Sequence, residues 1–280
     1  MPVPVLDNHV HLEPCKGRNI DAVKDFARAG GTHLIVSHQP YDEVRVHSSA
    51  DFRKSFDITI SMVERINSET EVRAYATVGP YPVELLRLEK KLGLEKAKEI
   101  MNEGMEIAAE YVQEGRALAI GEVGRPHFDV PSAIMEASND ILSHAMALAR
   151  EAGCAIVLHT EVGSKGTMKD LAKKADDAGL DRGKVVKHYS PPIVLPEENF
   201  GLMPSVLAGK DAVREALSKG PRFMMETDFL DDPSRPGAVM AITTVPKRTL
   251  RFLEQGLMTD EQAYAIHADN PRKTYGPAFE

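Results

Sequence analysis

The chain has little cysteine, no apolar run long enough for a bilayer and no excess of positive charge, and each shortage removes a class of protein. Its two cysteines, Cys15 and Cys154, are too few for a disulfide framework, and neither sits in a CxxC or related zinc-binding spacing. Both are read as reduced, buried thiols of a cytoplasmic protein. No stretch approaches the ~20 apolar residues of a membrane span. The start, Met1-Pro-Val-Pro-Val-Leu-Asp7, lacks the basic residues and apolar stretch of an export signal, so neither export nor membrane insertion is expected. With 34 Lys+Arg against 42 Asp+Glu and a net charge of −8, the molecule as a whole does not project the field that draws in nucleic acid or anionic membrane. A polyanionic substrate would need a local site. There is no internal repeat or low-complexity tract, and no strong heptad pattern points to an obligate protein partner.

What is present is an alternation of short β-branched runs with longer segments of helical period, the pattern of repeated βα units around a parallel sheet. Eight strands are expected, at 3–11, 32–38, 72–78, 117–123, 155–160, 184–189, 202–207 and 222–228. Helices are expected at 21–29, 52–66, as a pair across 83–113, and at 133–152, 168–178, 211–219, 246–254 and 260–268. Gly30-Gly31 and Gly153 close two of them as left-handed C-caps, and Thr259 N-caps the last. The count fits an α/β (β/α)8 TIM barrel, which commonly runs to about 250 residues. At 280 residues and 42% apolar content the chain is long enough to bury one core, so residues 1–280 are read as a single domain. Loops 124–132, 190–201 and 229–237 follow the fourth, sixth and eighth strands and would wall a pocket at the strand C-termini.

That end of the barrel is where the chemistry gathers. His9, His11, Glu122, His159, His188 and Asp228 each lie near the end of an apolar run, and only the first two share one. A parallel barrel brings its strand C-termini to one rim, so these six would converge as a hydrolytic metal centre. His9 and His11, two apart on a strand, face the same side about 6 to 7 Å apart along the backbone and can grip one cation. Glu122, in Ala-Ile-Gly-Glu-Val-Gly, is a carboxylate among apolar neighbours and needs a cation to be buried; its two oxygens suit it to bridge two ions about 3.5 to 4 Å apart. His159 and His188 end adjacent strands and would complete a second site, although a strand-end histidine equally anchors a loop. Asp228 binds metal at the open rim and acts as general base, then as proton donor to the leaving group. Metal-activated hydroxide, available near neutral pH because coordination lowers the pKa of water to around 7, is the expected nucleophile.

Substrate contacts are read from the loops around this set. His38, in Val-Ser-His-Gln-Pro, and His127, after the fourth strand, reach the rim. His38 fits a loop anchor at least as well. Asp7 suits a capping carboxylate or one that supports a ligand. His33, His47, His144 and His267 fall on strand starts, helices or outer loops and are assigned structural or solvent roles.

The ordered motifs Asp7-Asn-His-Val-His11-Leu, Ile120-Gly-Glu-Val-Gly124, Leu158-His159, His188, Glu226-Thr-Asp228 and Asn270-Pro271 resemble the TatD-like branch of the metal-dependent amidohydrolases. The resemblance implies a TIM barrel with two divalent ions, His9, His11, Glu122 and Asp228 about one and Glu122, His159 and His188 about the other. It also implies hydrolysis of phosphodiesters. The chain departs from the family at Glu161, where relatives commonly carry an arginine suited to phosphate; Arg125, or Lys165 or Lys187, would compensate. Lys187 neighbours inward-facing His188 and by strand alternation should point away.

Three functions follow. The first is a divalent-metal-dependent phosphoesterase acting on a nucleic-acid end or a small molecule. The second keeps the metals and turns to a lactone, ester or amide, a reading that Glu161 and the acidic balance favour. The third is a barrel that binds metal or metabolite without turnover. Zinc is the leading metal, and manganese, magnesium, iron and nickel suit the same donors to differing degrees.

Overall fold

The computed structural model describes residues 3–276 and Phe279; Met1 and Pro2 of the N-terminal segment lie outside them. Among the described residues nine strands run in chain order: β1 (Leu6–His11), β2 (His33–Ser37), β3 (Arg73–Val78), β4 (Ala119–Gly124), β5 (Ala155–His159), β6 (Val185–Ser190), β7 (Met203–Leu207), β8 (Met224–Glu226) and β9 (Phe229–Leu230). The sheet order is β8-β7-β6-β5-β4-β3-β2-β1-β9, and the pairings are parallel. The short β9 continues from β8 and pairs with the end of β1, Val10 opposite Phe229 and His11 opposite Leu230. Asp228 and Asp231 donate their N–H groups to the His9 and His11 carbonyls at 3.0 Å. The last strand is thus tied back to the first, and the sheet closes as an α/β TIM barrel.

Helices α1 (Ile20–Arg28), α2 (Ala50–Glu69), α3 (Glu84–Leu92), α4 (Leu94–Gln113), α5 (Ser132–Glu151), α6 (Lys165–Ala178), α7 (Pro196–Asn199), α8 (Lys210–Lys219), α9 (Thr244–Glu254), α10 (Asp260–Tyr264) and α11 (Asn270–Tyr275) accompany the strands. In α5 the buried residues are Ile134, Ala137, Ser138, Ile141, Leu142, Ala145, Met146 and Ala149. Their spacing of three and four gives the single apolar stripe that a helix lays on a sheet. Ser164 caps α6 by accepting from the Thr167 N–H at 3.1 Å, which starts this helix nearly one turn before the periodic residues suggest. Gly30 and Gly153 take φ of +97° and +67° after α1 and α5, the left-handed conformation that ends a helix without strain in glycine.

Two layers of apolar side chains result. Leu6, Ile35, Ala119, Val157, Val186, Met203 and Met224 fill the barrel interior. Val10, Leu34, Val36, Val78, Ile120, Ile156, Leu158 and Val185 point the other way and pack against the helices. With the lower barrel plugged, the upper rim is left for polar groups.

Beyond the early start of α6 and the short α7 inside the expected loop 190–201, the structure differs from the sequence expectation at the eighth strand, at 229–230 and at the last helix. The eighth strand shrinks from 222–228 to Met224–Glu226, because Asp228 turns into the left-handed region at φ +51°. Residues 229–230, expected to be loop, return to the sheet as β9. The helix expected at 260–268 runs through a π-helical turn, Ala265–Asp269, into α11; its His267 is buried, with Nε2 2.9 Å from Thr249 Oγ1 and Nδ1 against the Leu6 backbone. Cys15 and Cys154 are both free, Cys154 buried as expected but Cys15 exposed in the loop after β1, and no helix of the described residues is long and apolar enough to cross a membrane.

Candidate metal centre

Strict alternation would place ligands on every second residue of a strand, and three strands break it where the ligands lie. The β1–β2 register shifts between Asp7 and Val10, the β4–β5 register between Gly121 and Val123, and the β6–β7 register between Lys187 and Ser190. An extra residue in one strand re-aims the side chains around it. On β1 the interior residues Leu6 and Asn8 and the outward residues Val10 and Leu12 are then compatible with His9 and His11 both facing inward. Glu122 and His188 sit inside the other two irregularities.

The six predicted residues meet at the C-terminal mouth. His9 Nε2 and His11 Nε2 are 3.1 Å apart. Glu122 Oε2 lies 3.3 Å from the first and 3.4 Å from the second, and Asp228 Oδ1 lies 3.5 Å from His11 Nε2. The other Glu122 oxygen, Oε1, touches His159 Nδ1 and lies 3.6 Å from His188 Nε2. Glu122 therefore turns one oxygen to each histidine pair. Candidate ligand atoms of His9, His11 and Asp228 fall within 4.8 Å of one another, and so do those of Glu122, His159 and His188.

This donor set fits divalent cations. Burial would raise the Glu122 carboxyl, but His159, His188 and His11 beside it outweigh that and hold it well below the carboxylate range. Burial likewise opposes a charge on His11, yet Asp228 and Glu122 push that imidazole up to about 10. The carboxylates thus draw positive charge to the point between them strongly enough to overcome desolvation, and a cation at that point meets the same demand. Burial pushes His9 down and His188 down to about 4, which keeps both in the neutral form that ligates.

A surrounding shell fixes the rings. His9 Nδ1 is 3.1 Å from Ser37 Oγ, and His11 Nδ1 is 3.0 Å from the Ser37 carbonyl, so both present Nε2 to the centre. Fully buried Glu226 places Oε1 2.9 Å from His188 Nδ1, off the direction of a hydrogen bond, and accepts the Tyr189 N–H at 2.7 Å. Asp7 ties β1 to the end of β8: its carboxylate accepts from Thr227 N at 3.0 Å and Thr227 Oγ1 at 2.6 Å. Side-chain exposure is 15% for Asp228, 14% for His159 and 11% for His11, against 0 to 3% for the other three. The centre is therefore open on the side of Asp228, His159 and His11.

The residues read as substrate contacts separate. His127 is at the mouth, exposed, with Nδ1 2.8 Å from His159 Nε2. His38 is buried behind the centre; Nδ1 is 3.1 Å from Thr59 Oγ1 and Nε2 is 3.4 Å from Ser55 Oγ, both on α2, the anchoring alternative. Arg125 does not present its guanidinium to the mouth. Nε and Nη2 grip Glu161 at 2.8 and 2.6 Å, while Nη1 meets Asp170 and Asn139, each at 2.8 Å. Glu161 is therefore neutralised by Arg125. Lys187 points into the outer layer, as alternation requires, and its buried amine donates to the His188 carbonyl.

Sequence reasoning gave no role to Tyr81, whose hydroxyl is 3.4 Å from His159 Nε2, nor to Glu226 as a neighbour of His188. Glu226 was visible as a carboxylate in an apolar run, two residues before Asp228. Tyr81 had no comparable signal, since it follows β3 in a turn whose path depends on its neighbours.

The family model of the TatD related DNases matches residues 6–276. An uncharacterized protein of Methanocaldococcus jannaschii is 38% identical over 283 residues, covering 99% of this chain and 98% of its own. The phosphotriesterase homology protein of Escherichia coli, crystallised with phosphate in its active site, superimposes with a TM-score of 0.65 at 13% identity, covering 98% of this chain and 99% of that one. A mutant organophosphorus hydrolase of Deinococcus radiodurans gives 0.64 at 15% identity, covering 98% and 93%. At such identities the two structures share the fold.

Proposed function

The chain belongs to the TatD related DNase family and is a metal-dependent hydrolase; from that premise we propose a two-metal enzyme that cleaves phosphoester bonds in a small molecule or at a nucleic-acid end. The observation that supports it is the division of Glu122, one oxygen toward His9 and His11 and the other toward His159 and His188. A carboxylate placed in this way suits a bridge between two ions. His9, His11, Glu122 and Asp228 would hold one, and Glu122, His159 and His188 the other. Bound there, divalent ions bring water close to ionisation at neutral pH and draw charge from the bond under attack.

The protein's own groups supply the rest. Burial opposes ionisation of Asp228, but His188, His11 and His9 hold its carboxyl below the carboxylate range, so it is ready to accept a proton from the attacking water. It is also the most exposed of the six and the one best placed to return that proton to the leaving oxygen. The Escherichia coli neighbour, with phosphate in its active site, supports the phosphoester reading. A second reading, hydrolysis of a lactone, ester or amide, is favoured by one observation: the Arg125 guanidinium is spent on Glu161 and Asp170.

Hydrolysis of bis(p-nitrophenyl) phosphate by zinc- or manganese-reconstituted protein, beside p-nitrophenyl acetate, separates the two. The phosphoester reading expects turnover of the diester that Asp228→Asn lowers about 100-fold or more with an unchanged circular dichroism spectrum. Turnover of the acetate alone would replace it by the second reading, and full activity in Asp228→Asn would remove the assigned base.

A further inference from the structure

The mouth of the barrel has a chemical bias that the metal centre does not require. Six large apolar side chains among the described residues are exposed, and three of them, Phe128, Val162 and Tyr189 at 43%, 72% and 43%, belong to strands and loops at this mouth, the others being Leu92, Leu250 and Leu257. Phe128 and Val162 follow β4 and β5, and Tyr189 lies near the end of β6; these three adjacent strands supply Glu122, His159 and His188. The Phe128 ring stands edge-on to His127 with centroids 5.2 Å apart, and His127 is 4.9 Å from His159. The Tyr189 ring is 5.8 Å from His188. The loop after β5 also lies directly on the loop after β6: a Cβ added to Gly163 would come within 2.9 Å of Pro191 Cδ.

Tyr189 reaches its place through a left-handed backbone, φ +53°, pinned by its N–H bond to the buried Glu226 carboxylate. A non-glycine residue adopts that conformation only where its surroundings impose it. The strand thereby stops alternating and a ring sits at the open mouth beside a ligand. Exposed apolar surface bordered by polar groups marks a place for a ligand, and a guanidinium on Arg125 is not free to hold a phosphate there.

We propose that Phe128, Val162 and Tyr189 form an apolar shelf that seats a planar aromatic group of the substrate beside the metal centre. This deepens and rests on the phosphoester reading: the preferred substrates would be phosphoesters in which an aryl group or a nucleobase lies close to the scissile bond, and small alkyl phosphates and sugar phosphates would be poor ones. Binding of the non-reacting part comes from stacking and burial instead of from ion pairing.

The test uses zinc-loaded full-length protein and calorimetry on two pairs of ligands, phenylphosphonate against methylphosphonate and deoxyadenosine 5′-monophosphate against deoxyribose 5-phosphate. The aromatic member of at least one pair should bind about tenfold tighter, the lower part of what stacking on an aromatic side chain contributes per base. Preference in the phenyl pair alone identifies a small aryl substrate, and in the nucleotide pair alone a nucleobase. The ratio should fall to about one in Phe128→Ala/Tyr189→Ala and persist in Tyr189→Phe, which keeps the ring; Phe128→Ala alone should lower it if the double variant does not fold. Equal affinity within both pairs, absence of binding, or a ratio retained in the alanine variants overturns the proposal. Turnover of bis(p-nitrophenyl) phosphate by the same preparation reports separately on the phosphoester reading, which can fail while the aromatic preference stands.

Discussion

Replacing Glu161 by alanine probes the arginine clamp that distinguishes this mouth. Arg125 is 8% exposed at its side chain, while Glu161 keeps 38%. The substitution removes two charge-assisted hydrogen bonds, at 2.8 and 2.6 Å, but leaves Nη1 with Asp170 and Asn139. Hydrogen bonds to charged groups contribute about 1.5 to 3 kcal/mol each when buried. Screening on the half-exposed Glu161 side and the surviving partners reduce the pair to roughly 2 kcal/mol. An unfolding entropy of ~2.1 cal/mol/K per residue gives this chain ~0.6 kcal/mol/K, so Tm should fall by about 3 to 4 °C. Scanning calorimetry reads this directly. A cycle with Arg125→Met and the double variant should show a coupling of about 1 kcal/mol or more. Strict additivity, or a Tm lowered by less than about 1 °C, would refute the claim that this arginine is structurally committed.

Two more outcomes follow from the centre and from the barrel closure. Glu122→Gln removes a lone-pair oxygen from one side of the bridge, so the zinc bound per chain, counted by mass spectrometry after reconstitution, should fall from two to one or fewer; two retained ions would remove the bridging role. His267 is buried and burial lowers it to about 4, so between about pH 4 and its unfolded value near 6.5 the unfolded chain binds more protons and stability drops as the pH falls. In urea titrations the wild type should lose up to ~1.4 kcal/mol per pH unit more than His267→Gln in that window, and parallel curves for the two proteins would contradict this.

The six converging residues were legible because each is a polar group at the end of an apolar run, and an α/β barrel has a rule for where strand ends go. The same reasoning placed Lys187 outward from its position beside His188. Boundaries set by local chemistry, such as Gly30 and Gly153, were legible for the same reason.

Other features depend on residues distant in sequence. No periodicity announces the register breaks in β1, β4 and β6, because each is measured against a neighbouring strand. Nor does any local pattern say that Arg125 meets Glu161, 36 positions on, or that residues 229–230 close the sheet against β1. Sequence alone determined which groups are available for chemistry and which end of the barrel receives them, through alternation and composition. Tertiary structure decided which oxygen of Glu122 faces which histidines, which cation is already neutralised, and which apolar rings stay at the mouth, since each follows from strands and loops brought together only when the barrel closes.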